Sequence, residues 1–178
     1  MNGSRALTYL VSTLFDLYIV SVLLRLMLQW VRADFYNPLS QFLVKITNPA
    51  LIPLRRVIPS IGRLDTASVV LAVGLEIISL LIVSAINSIS MPWIQLIYLA
   101  ITKLLMAVLW LYFFLIIAVV ILSWVGGGVR HPIVPLMYQL TDPILRPIRK
   151  VIPAIGGMDL SPLFAIIAIR FLILLLGY

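Results

Sequence analysis

The chain has 178 residues, 63% of them hydrophobic and only 11% charged, with a formal net charge of +7 and no cysteine. A soluble domain carries about half apolar and a quarter charged residues, so the solvent for most of this chain is lipid. The missing cysteines exclude disulfides, a thiolate nucleophile, Cys-ligated metal and covalent haem attachment. The excess cations sit beside apolar runs, where anionic lipid headgroups are nearer partners than nucleic acid.

The first apolar run, 7–31, follows one arginine, Arg5. It lacks an A-x-A-like cleavage site and contains Asp16 and Arg25, so it reads as an uncleaved transmembrane helix. Asp16 needs a partner from another helix, water or a proton, while Arg25 is near enough to one end to snorkel.

A basic segment follows with Arg32, Lys45, Arg55, Arg56 and Arg63. It holds the phrase NPALIPLRRVIPSIG at residues 48–62. Asn48 and Pro49 suit an N-cap and first helical position, Pro53 should shorten or kink the helix, and Pro59 should stop it. Gly62 then allows a tight reversal, and Asp65 stands where it can cap the next helix. That next run, 66–86, is a second span with Glu76 near its middle.

Residues 87–91 carry no charge. The third run, 92–125, exceeds the roughly 20 residues that cross a bilayer, and Lys103 reads as its outer boundary, with Trp93 and Tyr98 at headgroup level. Gly126 to Gly128 lead into a second basic segment with Arg130, Arg146, Arg149 and Lys150. His131, the single histidine, lies beside no carboxylate or cysteine and reads as a turn residue rather than a metal ligand.

DPILRPIRKVIPAIG at residues 142–156 repeats the earlier phrase at an offset of 94. Over 47–65, eleven of nineteen positions recur identically, and Trp30 and Trp124 precede the two copies. In the second copy Asp142 and Pro143 take the cap and first position, Pro147 the kink and Pro153 the stop. Ile144, Leu145, Ile148, Val151 and Ile152 gather on one side of a helix, opposite Arg146, Arg149 and Lys150. Such a helix lies in the interface with its cations at the phosphates. Gly156 and Asp159 repeat the turn and the cap, and Pro162 suits the first turn of the last run, 161–177. That run is the shortest, and it contains Arg170.

The expected fold is therefore all-α, with four transmembrane helices arranged as two parallel span–amphipathic loop–span repeats of about 7–86 and 93–178. Interfacial segments fall at about 38–62 and 132–156. The two basic segments carry nine of the thirteen Lys and Arg residues, which places both in the cytoplasm and both termini outside. Same-side loops imply a pseudo-twofold axis along the membrane normal. Glu76 and Arg170 occupy equivalent positions with opposite charge, so they are expected to meet or to join one polar cluster with Asp16. No nucleophile–base or metal constellation is present in the sequence, and neither enzyme activity nor a cofactor is expected.

The doubled phrase, with the tryptophan ahead of each copy and DFYNP at residues 34–38, resembles the YggT family (YggT/YlmG) in its proteobacterial form. The resemblance implies a small protein of the bacterial inner membrane without established catalytic residues, associated with osmotic-stress tolerance and potassium uptake, and in plastid relatives with cytochrome assembly. Two functions compete. One is a scaffold or assembly factor docking a membrane or cytoplasmic protein on the paired amphipathic helices, at Arg55, Arg56, Arg146, Arg149 and Lys150. The other is a small oligomeric channel, or a modulator of potassium uptake, using Asp16, Arg25, Glu76 and Arg170.

Overall fold

The computed structural model describes residues 2–125, 131–152 and 159–177. The expectations placed on Gly126 to Gly128, Arg130, Pro153 and Gly156 lie outside them. Among the described residues the chain is all-helical: α1 Asn2–Trp30, α2 Pro38–Val57, α3 Thr66–Ile86, α4 Trp93–Val125, α5 Ile133–Val151 and α6 Ser161–Leu175.

Three helices, α1, α3 and α4, are long and apolar enough to cross a membrane. The expected fourth span is shorter than that. α6 has 15 residues, or about 22 Å of rise against a hydrocarbon layer of about 30 Å.

α2 and α5 also differ from expectation. Asn48 and Asp142 do not cap them. α2 begins eleven residues before Pro49, at Pro38, where Asn37 accepts a hydrogen bond from the Leu39 amide at 3.0 Å. Both helices run on through their internal prolines, Pro49 and Pro53 in α2 and Pro143 and Pro147 in α5. The earlier start is explained by burial. Leu39, Leu43 and Ile46 of α2 join Met27 and Leu28 of α1 and Leu136 and Leu140 of α5 in one apolar cluster. A helix begun at Asn48 would leave those side chains without a fixed face.

α2 packs on α1 and α3, and α5 packs on α4 and α6. The buried Thr47 and Leu51 of α2 stand 94 residues before the buried Thr141 and Leu145 of α5. Between the halves, α3 packs on α4, with Ala72, Leu75, Leu104 and Val108 in a cluster shared with Ile19 and Val22 of α1. The α1–α3 packing of the first half recurs as α4–α6 in the second, but among the described residues no α6–α1 contact of comparable extent answers the one between α3 and α4. At the heads of α2 and α5, the Asn37 side-chain amide donates to the Pro132 carbonyl at 2.5 Å.

Candidate functional site

α3 and α4 form a hairpin. Glu76 stands ten residues before the last residue of α3, and Lys103 ten residues after the first of α4, which brings the two level. The Lys103 ammonium donates to Glu76 Oε1 at 2.5 Å and lies 3.9 Å from Asp16 Oδ1 on α1. The Glu76 side chain is 3% exposed, Lys103 31% and Asp16 54%. These groups open into a notch of about 240 Å³ whose apolar walls include Ile19, Val20, Met106 and Trp110. Two carboxylates thus share one ammonium.

This arrangement corrects three expectations. Glu76 is paired with Lys103 and not with Arg170. Lys103 is level with the middle of α3 and so does not mark an outer boundary. Arg170 is exposed on α6, its guanidinium carbon 5.9 Å from the centre of the Trp110 ring. α4 lies between α3 and α6, which is why residues at equivalent repeat positions do not meet.

Arg25 does not snorkel. It is 4% exposed, and its Nη1 donates to Thr47 Oγ1 at 2.5 Å and to the Val44 carbonyl at 3.4 Å. Those acceptors come from α2, the packing partner that sequence periodicity placed only at the interface. Arg25 Nε is buried without a hydrogen-bond partner among the described residues.

A second constellation fastens α2 and α5 to the helices that follow them. The Arg55 guanidinium pairs with Asp65, which also accepts from the Ser68 hydroxyl at 2.6 Å. At the offset of 94, Arg149 Nε donates to Asp159 Oδ2 at 2.8 Å. Each pair is ten residues apart and joins the end of an amphipathic helix to the head of the next helix.

The Asp65 side chain therefore serves Arg55 and Ser68 and makes no cap hydrogen bond to the α3 backbone. Asp159 does hold a backbone amide, that of Ser161 at 2.9 Å, from one residue before the α6 cap position. Burial alone would raise the Asp65 carboxyl. Hydrogen bonds from Arg55 and Ser68, with the Arg55 charge, outweigh it and hold the group below the ordinary aspartate range. Asp159 is lowered too: its slight burial is outweighed by hydrogen bonds from Ser161 and Arg149. Between helix and clamp, Ile61 and Leu64 exchange backbone hydrogen bonds of 3.1 and 3.0 Å around Gly62, which takes φ +59°.

The exposed cations around the clamps are not all free. Arg146 pairs with Asp142 at 2.8 Å, and Arg149 Nη1 lies 3.9 Å from the same carboxylate. Arg56 and Lys150 are exposed and take part in no ion pair among the described residues.

Among the described residues no group of three or more His, Asp or Glu is placed to hold a metal. The fold and these sites define a class: an all-helical membrane protein whose apolar helices carry an ion-paired cluster and whose amphipathic helices are pinned by arginine–aspartate clamps.

Within that class, the chain belongs to the CCB3/YggT family, whose model matches residues 4–86 and 98–178. It is 45% identical over 175 residues to a Vibrio alginolyticus protein named for the region 3′ of proC, covering 97% of this chain and 94% of the relative. It is 42% identical over 162 residues to YggT of Escherichia coli K12, covering 90% and 84%. PA0392 of Pseudomonas aeruginosa is 43% identical over 183 residues, covering 93% and 85%. No solved structure matches the chain.

Proposed function

We propose that this chain is a non-enzymatic multi-pass protein of the bacterial inner membrane, acting as a scaffold or assembly factor in osmotic-stress and ion homeostasis. In this reading α6 serves as a fourth span, the two halves form parallel repeats, α2 and α5 lie at the cytoplasmic face, and both termini are outside. The start points of the two family-model matches, 4 and 98, lie 94 residues apart and support the repeat. The grouping of nine of thirteen cations in two segments supports the orientation.

The observation that carries the scaffold is the doubled clamp. Arg55–Asp65 and Arg149–Asp159 pin two amphipathic helices at their C-terminal ends, and Asn37 ties their N-terminal ends together. A pinned pair of basic helices costs little conformational entropy when it meets anionic headgroups or a docking protein, because its geometry is already set. Arg56, Arg63 and Lys150 are exposed, take part in no ion pair among the described residues, and are offered to that surface.

The transport reading rests on the notch, where three ionisable groups meet at mid-span depth. Its buried carboxylate is already neutralised by Lys103, and that favours a structural role. Liposomes of the purified protein are expected to pass neither potassium nor protons, while one membrane complex co-purifies reproducibly. Gln at Arg56, Arg63 and Lys150 should weaken that co-purification. A clear cation flux overturns the scaffold reading.

A further inference from the structure

Arg170 and the notch present the same problem with opposite signs. Arg170 is exposed on an apolar helix, and no carboxylate lies within ion-pairing distance among the described residues. Its guanidinium carbon lies 5.9 Å from the centre of the Trp110 ring. Asp16 is the more exposed of the two carboxylates around Lys103 and sits at the longer distance. A charge at mid-span depth is costly when it faces hydrocarbon. The notch holds two carboxylates around one ammonium, whereas Arg170 is a guanidinium with no carboxylate in reach among the described residues.

Trp110 links the two. It lines the notch together with Asp16, and it lies under Arg170. One flank of the bundle therefore offers an under-neutralised carboxylate and an unpaired guanidinium on either side of one indole. Such a flank is complementary to a copy of itself. A twofold axis along the membrane normal exchanges its left and right sides, keeps both copies in the same orientation across the bilayer, and brings each cation to the other copy's anion.

We propose that this flank is the interface of a homodimer, in which Arg170 of each copy enters the notch of the other and pairs with Asp16. Exposed apolar side chains of the same helices, Leu17 on α1 and Ile167 and Leu174 on α6, supply the surrounding packing. Guanidinium suits the task because it bonds a carboxylate while stacking on an aromatic face. The proposal does not depend on the cytoplasmic platform, and its test leaves that platform untouched.

The test uses full-length chains carrying two different tags, co-expressed and recovered in mild detergent and in bilayers. Wild-type copies should capture each other. Asp16→Arg should lose capture of itself by about tenfold or more, and so should Arg170→Asp. Co-expressed with each other, these two variants should recover it, since every contact between them is then complementary. Wild-type chains that remain single overturn the proposal, as do single variants that self-associate like wild type. It is equally overturned if the mixture stays apart while Asp16→Arg with Arg170→Asp in one chain restores stability, which marks a pair within one copy.

Should Asp16→Arg fail to fold beside Lys103, the chain's lack of cysteine supplies a second route. Val20→Cys on one tagged copy and Ile167→Cys on the other keep all charges, and a short bismaleimide should join the two tags. Absence of the joined product at membrane densities where wild-type copies capture each other overturns this geometry.

Discussion

Lys103 reaches across the α3–α4 hairpin to Glu76, and the pair is equidistant from the turn that joins the two helices. Removing one partner from a buried pair leaves a stranded charge, at a cost of about 3–5 kcal/mol. Lys103→Met is therefore expected to lower the unfolding midpoint in detergent sharply. Lys103→Met combined with Glu76→Gln should lose much less, because the buried carboxylate is then gone and only the exposed Asp16 is left without the ammonium. Equal losses in the single and double variants would show that the two side chains are uncoupled.

Acid should loosen the first clamp. The Asp65 carboxyl is held below its unfolded value of about 3.9. Its contribution is thus complete above that value and is lost as pH falls through the folded one. Asp65→Asn should cost about 2 kcal/mol near neutrality and flatten the acid limb of a stability-against-pH series. Asp159→Asn should change that limb less, since both members of its pair are about 40% exposed.

Gly62→Ala tests the turn that feeds α3. A Cβ at Gly62 meets no atom within 4 Å, so any loss is conformational and follows from φ +59°. About 1–2 kcal/mol is expected for alanine and less for asparagine, measured by thermal unfolding. An unchanged midpoint for alanine would mean that the turn relaxes without cost.

Sidedness is testable by labelling. Single cysteines at Ser60 and Ser88, both exposed, should react from opposite faces, the first from the cytoplasm and the second from outside. Reaction of both from one face would contradict the proposed orientation.

The three long apolar helices are legible from run length alone, and the recurrence of a clamped amphipathic helix from the proline-punctuated phrase. The ion pairs were legible only in part. Glu76 and Arg170 share a repeat position, but repeat arithmetic does not say which helix lies between them. Hairpin arithmetic does better: Glu76 and Lys103 are equidistant from a short turn, and that signal was present in the sequence. Arg25 was misplaced for another reason. Its acceptors, Thr47 Oγ1 and the Val44 carbonyl, lie on α2, whose early start at Asn37–Pro38 competes with an equally good signal at Asn48–Pro49. Only the burial of Leu43 against α1 and α5 decides between them.

α4 and α6 are packed neighbours of very unequal length, 33 and 15 residues. Side by side they amount to about 50 Å and 22 Å of rise, against a hydrocarbon layer of about 30 Å. With α6 as the proposed fourth span, lipid beside it must thin to meet it, while α4 must tilt or project. In that proposed topology the protein sets a step in bilayer thickness along one flank, and its resting tilt becomes a function of acyl-chain length. Short-chain lipids should gather beside α6, and lengthening the chains should strain that side of the protein before any other.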